Sequence, residues 1–308
     1  MDILGERRFD FLGKRKIAFV FSIILAIIGL TAAVSIPLGK ANLGTDFAGG
    51  VAMQFRFDKS FEIEKVRSIF EKGGFPDVDL QEITGENKLF VRVKRTGEKL
   101  GEFSDALGAA LSAGLPENPY VIDSSTEIGP TVGKKLQKDA LWAIIVALIG
   151  IMFYVAWRFE FRFGVAAVVA TVHDVLAVLG IVFILGNEIN LLIVTALLTI
   201  SGYSLTDTVV VFDRIRENIR KRNKENLEPL INRSINEVLR RTIVTSGTTL
   251  LVLLALIFMG GEVIHDFALT LAIGVIVGTY SSIFVASPIL LLWKGGSARL
   301  IKAERAEK

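Results

Sequence analysis

A carboxylate, Asp207, interrupts the apolar run that extends from Ala196 to Phe212. Holding a charged carboxylate in hydrocarbon costs about 2.5–3.5 kcal/mol on insertion scales, so a chain that keeps one normally turns it toward partners, water or a moving ion. Helical spacing sets Tyr203, Ser204, Asp207, Val210 and Arg214 along one stripe, which could form a polar seam facing other helices. Two chemistries fit such a seam. Asp207 can take up and release a cation, or it can serve only as a hydrogen bond that glues helices together.

Other polar residues could join it. His173-Asp174 lies near the middle of the run Phe163–Leu185, and Ala166, Ala170, Asp174 and Ala177 share a face that a neighbouring helix can approach closely. His173 falls about 100° round the helix from Asp174, so the two are expected to face different targets, with His173 read first as a packing residue. Arg241, Thr245 and Thr248 form a polar stripe. Arg241 either snorkels to headgroups or, if it faces Asp207, biases that carboxylate through its charge. Gly274-x-x-x-Gly278, followed by Ser281 and Ser282, is a close-approach face. A single intramembrane His with scattered carboxylates is a poor transition-metal site, and no hydrolase-type nucleophile arrangement is present, so metal binding and enzymatic chemistry are not expected.

The elements that must position these residues are read from hydropathy. Apolar residues make up 51% of the 308 positions, and they are clustered. Runs near the ~20 residues needed to cross a bilayer occur at Ile17–Leu38, Leu141–Trp157, Phe163–Leu185, Leu191–Phe212, Ile243–Met259 and Phe267–Trp293. The first is longer than the apolar core of a cleaved signal peptide and reads as an uncleaved anchor. The net charge of +3 is too small to argue for nucleic acid, and the absence of cysteine excludes disulfides and thiol chemistry.

Lys and Arg placement orients the spans, because basic loops near span ends stay cytoplasmic. The N-terminal segment 1–16 with Arg7 and Arg8, the Arg158–Arg162 turn, the loop 213–241 and the tail 294–308 with Lys294, Arg299, Lys302 and Arg305 are basic. Gly186–Asn190 and Gly260–Asp266 hold neither Lys nor Arg. Both termini are therefore expected in the cytoplasm, with residues 17–38 as the first span, 39–135 outside and 136–293 as a five-helix region. In the loop, 213–222 is expected to continue the fourth helix and Pro229 to open an amphipathic piece through Leu239, its charges forming a solvated face.

The outer region reads as a folded α+β domain. Val51, Met53, Phe55 and Phe57 alternate with Ala52, Gln54 and Arg56, the period of a half-buried strand. A helix follows at 60–73, then strands at 78–84 and 89–93 around the turn Gly85-Glu86-Asn87, a helix through Phe103, Leu107 and Leu111, and a strand at Tyr120–Asp123. That order is the split-βαβ arrangement of ferredoxin-like domains. Gly-rich segments at 42–50 and 127–133 frame the domain without the spacing of a phosphate loop, so no nucleotide or other cofactor is expected. Gly49, Gly50, Gly129 and Pro130 are expected hinges that let the domain tilt.

Taken together, 202–218, 241–249 and Gly278-Thr-Tyr-Ser-Ser282, with Gly44-Thr-Asp-Phe-Ala-Gly-Gly50 and Ile128-Gly-Pro130, resemble the SecF family, the smaller subunits of bacterial SecDF protein-export complexes. The match runs from about Gly44 to Trp293. The resemblance implies half of a twelve-span machine similar to RND-superfamily transporters in the bacterial inner membrane, with SecD as the other half. It implies work beside the SecYEG channel, the SecA motor and a YajC-type accessory subunit, drawing an unfolded polypeptide into the periplasm with the proton-motive force. The family's coupling residues carry over to Asp207 and Arg241, and His173-Asp174 matches a recurrent pair; Tyr203 and Ser204 complete the expected ion-coupling set. Thr206 stands where the family more usually has Asn. Either a proton or sodium fits a carboxylate seam, and half of an RND-type exporter of small molecules or lipids is the alternative.

Overall fold

Each apolar run falls in, or largely within, a helix long and apolar enough to cross a bilayer, six in all among the described residues. The computed structural model describes residues 9–83, 87–94, 100–221 and 226–292. Arg7, Arg8, Gly85 and Glu86 of the expected hairpin turn, Arg222, Trp293 and the tail cations lie outside the described residues. In chain order the elements are α1 (Arg15–Ser35), α2 (Thr45–Ala48), β1 (Gly50–Phe57), α3 (Ile63–Lys72), β2 (Asp79–Ile83), β3 (Lys88–Lys94), α4 (Leu100–Gly114) and β4 (Tyr120–Ile128). The chain continues as α5 (Pro130–Arg158), α6 (Phe161–Ile184), α7 (Leu191–Lys221), α8 (Leu227–Met259), α9 (Glu262–Ser281), a π-helical stretch at Ser282–Ala286 and α10 (Ser287–Leu292).

In the bundle, α6, α7 and the sixth span are the buried members, while α5 exposes Leu141, Trp142, Val146, Ile149, Phe153 and Trp157. Glycine permits the tightest crossings. A Cβ on Gly180 of α6 would meet the backbone N of Gly29 on α1 at 2.7 Å, and one on Gly278 of α9 would meet the Ser204 Cβ of α7 at 2.9 Å. The expected close-approach face of the sixth span therefore packs on α7.

The 31 residues of α7 and 33 of α8 extend about 46 Å and about 50 Å at 1.5 Å per residue, well beyond the roughly 30 Å of hydrocarbon. The piece expected to open at Pro229 instead starts at Leu227 and runs unbroken into the fifth span. Pro229 lies in the first turn, where its missing N–H has no intrahelical partner to lose. The charges expected on a solvated face stay partly exposed, and one of their pairs also joins the two helices. Arg214 pairs with Glu237 at 2.7 Å and Glu217 at 2.6 Å, and Asn218 Nδ2 donates to Ser234 Oγ at 2.9 Å and Glu237 at 2.7 Å. The N-terminal segment docks on α8 as well: Asn232 and Asn236 accept from the backbone N of Phe11 and Phe9 and donate to Phe9 O, and Arg15 pairs with Glu228.

Between α1 and α5 lies a four-stranded antiparallel sheet in the order β2-β3-β1-β4. The alternation in β1 is borne out, with Val51, Met53, Phe55 and Phe57 buried against Val66, Phe70, Leu107 and Leu111 of α3 and α4. β4 runs to Ile128 rather than Asp123, since Ser124–Glu127 pair with β1 while remaining exposed and so carry no apolar alternation. Its end leads through Gly129 into α5, with Pro130 fixing the first helical turn. The sheet rests on the α6–α7 loop: Arg92 and Lys94 of β3 reach Glu188 at 3.1 Å and 2.7 Å, and Asn42 and Ile189 bond through their backbones.

Candidate functional site

Two buried carboxylates occupy the interior of the bundle on neighbouring helices. Asp174 of α6 has no exposed surface, and Asp207 of α7 retains 5%. Their surroundings differ. Ser204 Oγ of α7 donates to Asp174 Oδ2 at 2.5 Å, and Ser281 Oγ of α9 donates to the same oxygen at 2.7 Å. Oδ1 faces His173 Nδ1 at 3.0 Å. Asp174 thus ties three helices at one point, immediately before the π-helical stretch that starts at Ser282. π-Bulges of this kind often accompany functional sites, because the extra residue per turn re-aims nearby side chains.

The expectation that His173 and Asp174 face different targets is corrected: the side chains bend toward each other, which flexible torsions allow between neighbours despite the angle between their Cα–Cβ bonds. His173 Nε2 is buried without a hydrogen-bond partner among the described residues, 6.4 Å separating its ring centroid from that of Tyr280. Tyr280 in turn donates to Ala18 O at 2.8 Å and lies 3.1 Å from Ser22 Oγ, which links this cluster to α1.

Asp207 looks toward α8. Ser246 Oγ lies 3.4 Å from Asp207 Oδ2 and 2.7 Å from Thr279 Oγ1 of α9. No ion pair joins Arg241 to Asp207 among the described residues, and Arg241 instead lines the cavity between α5, α7 and α8. Tyr203 OH donates to Thr249 Oγ1 at 3.3 Å. The single stripe expected on α7 therefore serves two seams, Ser204 facing α6 and α9 while Tyr203, Asp207 and Arg214 face α8.

On α8 the expected stripe of Arg241, Thr245 and Thr248 is exposed, and both threonine hydroxyls bond to carbonyls of their own helix. The face turned inward is Thr242 and Ser246, one helical turn apart, and Thr242 Oγ1 is a second buried polar atom without a partner among the described residues. Small hydroxyls without a charge gave no signal in the sequence that would separate this face from its neighbour. Ser281 did carry one, as the residue following the glycine pair of the sixth span.

From Thr206 to Glu217 a cavity of about 750 Å³ opens between α5, α7 and α8, lined by Tyr154, Thr206, Asp213, Arg214, Glu237 and Arg241 among others. Thr206 lines it from the face of α7 next to that of Asp207, which does not line it, and its far end lies among charged side chains. The expected hinges occupy different settings. Gly49 and Gly50 have φ of 82° and 145°, and a Cβ at Gly49 would lie 3.1 Å from Ile128 O. A Cβ at Gly129 would meet nothing within 4 Å. Gly50 pairs with Ile128, so the two strands that attach the sheet to the bundle start and end side by side.

Comparison with known proteins gives consistent matches. A family described as protein export membrane protein SecD/SecF, C-terminal, matches residues 113–296. The chain is 52% identical over 304 residues to protein translocase subunit SecF of Thermodesulfovibrio yellowstonii, covering 98% of this chain and 99% of the relative. It is 42% identical to the corresponding subunit of Calditerrivibrio nitroreducens, covering 95% and 96%. A crystal structure of SecDF, a translocon-associated membrane protein from Thermus thermophilus, superimposes with a TM-score of 0.77 at 37% identity over 94% of this chain. The chain spans 39% of the length of that SecDF chain.

Proposed function

Because the chain belongs to the SecF family of protein-export membrane proteins, we propose that it works as the SecF half of a SecDF assembly, coupling cation passage at Asp207 to movement of its sheet domain on an emerging polypeptide. It is a multi-span inner-membrane protein of the protein-transport class. The observation that carries the coupling is the placement of Asp207. It is a nearly buried carboxylate in the middle of a spanning helix, beside Ser246, while Thr206 on the adjoining face of the same helix lines the cavity that leads to Asp213 and Glu237.

SecD supplies the other half of the bundle in this reading, with the SecYEG channel, SecA and a YajC-type subunit as neighbours. The names of the relatives support a polypeptide over a small molecule or lipid as cargo. The chain transports and does not catalyse. In this reading the loading cation is a proton taken up and released at Asp207. Moving one charge through the membrane potential is worth about 2.3 kcal/mol per 100 mV, enough to bias two states a few kcal/mol apart.

Residues 1–16 and 294–308 and the connection 213–241 lie in the cytoplasm in this reading, and 39–135 is the periplasmic domain, as the placement of basic residues favours. The strand order β2-β3-β1-β4 with α3 and α4 on one face supports a ferredoxin-like domain. Its attachments, adjacent at Gly50 and Ile128, support a hinge at Gly49, Gly50, Gly129 and Pro130. In vesicles holding the SecDF assembly and the channel, Asp207→Asn should abolish both proton uptake and gradient-stimulated export. Unchanged stimulation in an intact assembly removes Asp207 from the mechanism.

A further inference from the structure

In the segment Asn42–Gly50 an acid reaches the outer end of the helix that carries Asp207. Asp46 lies on α2, and its Oδ2 accepts a hydrogen bond from the backbone N of Leu191, the first residue of α7, at 3.1 Å. Asn190 Oδ1 accepts from Ile193 N at 3.0 Å, so the two side chains divide the amides of the first turn. A carboxylate at this end also complements the partial positive charge of those amides. Asp207 is sixteen residues further along, about 24 Å down the same rod.

α2 is fixed on its other sides. The Phe47 side chain is buried among Val178, Val182, Ile189 and Ile193. Gln137 of α5 donates to Phe47 O at 2.8 Å, and Gly133 crosses so close that a Cβ there would lie 2.7 Å from that oxygen. Gly44 N donates to Ile189 O at 2.9 Å. Past α2, Gly49 N returns to Thr45 O and Gly50 begins β1. A one-turn wedge thus touches the outer end of α7, the start of α5 and the first strand of the sheet domain.

We propose that Asp46 is a positioning residue that makes α2 follow α7, so that displacement of the Asp207 helix is handed to β1 and the sheet domain. The inference rests on the coupling role of Asp207 and adds the route by which its effect leaves the membrane. Helix shifts in switching proteins amount to about 1–2 Å, which one charge-assisted hydrogen bond to a helix end can transmit when the wedge behind it is packed. Without that bond, α2 is tied to α7 only by the packing of Phe47 and follows it less closely. The consequence is uncoupling: cations still pass, and the response of the domain falls.

The test uses the full chain with SecD and the channel in vesicles, reading proton uptake with a trapped pH dye and export of an unfolded secretory polypeptide in the same preparation. Asp46→Ala removes the acceptor, while Leu191→Pro deletes the donor from the other side at the first helical position, where proline is accepted. Both are expected to leave uptake within about twofold of the parent and to lower gradient-stimulated export at least about tenfold, with SecD copurifying as before. Parental export in either variant, or uptake and export falling together, overturns the proposal. Asp207→Asn runs alongside: if it leaves uptake intact the coupling role of Asp207 fails, whatever Asp46 does. Should either variant fail to copurify with SecD, the bond is architectural and the proposal is overturned for that reason.

Discussion

Ser204→Ala tests whether the Asp174 cluster clamps three helices or merely fills space. The substitution removes one hydroxyl and keeps the Cβ against which Gly278 packs, so the crossing of α7 and α9 is undisturbed. What is lost is a hydrogen bond to a carboxylate with no exposed surface. Hydrogen bonds to charged groups contribute about 1.5–3 kcal/mol, and a buried oxygen left short of a donor incurs the upper part of that range. Ser281 and His173 remain on the carboxylate, so about 2 kcal/mol is expected, a shift of roughly thirtyfold in the unfolding constant. In an Asp174→Ala background the acceptor is gone, and Ser204 can turn to its own helix as Ser201 does to Leu197 O at 2.8 Å. There Ser204→Ala should cost less than about 0.5 kcal/mol, giving a coupling of about 1.5 kcal/mol in the double-mutant cycle. The assay is detergent-titrated unfolding of the purified SecDF assembly followed by circular dichroism. Equal costs in the two backgrounds would refute the clamp.

Two further substitutions probe packing and docking. Gly278→Ala places a methyl 2.9 Å from the Ser204 Cβ and should destabilise the assembly by about 1–3 kcal/mol, whereas Gly202→Ala, which meets nothing within 4 Å, should be neutral or mildly stabilising in the same unfolding assay; equal effects would show that the crossing is not tight. Glu188→Gln removes the charge shared by the partly buried Arg92 and the exposed Lys94, the second pair being screened by solvent, and should cost about 1 kcal/mol of domain docking. Hydrogen exchange at Asn42–Gly44 and Ile189 should speed up in the variant, and high salt should narrow its difference from the parent; protection that is unchanged would show that the ion pair does not hold the sheet on the bundle.

The apolar runs placed six helices, because twenty lipid-exposed or buried residues leave a signal that no tertiary contact can hide. The alternation at Val51–Phe57 likewise declared a strand with one buried face, and the glycine pair of the sixth span declared a close crossing. Asp207 and Asp174 were legible as carboxylates that must turn inward, one charged group in hydrocarbon being costly wherever it sits. What the sequence could not decide was which groups meet them. Thr245 and Ser246 are neighbours of similar chemistry, and only the rotation of α8 turns Ser246 inward and Thr245 outward. Asp46 and Leu191 are joined across 145 residues, as are Arg92 and Glu188 across 96, and no local period records such a meeting. Helical periodicity fixes the angle between residues on one helix and says nothing of the angle between helices. That second angle is set by packing, and it decides which hydroxyl, cation or amide a buried carboxylate faces.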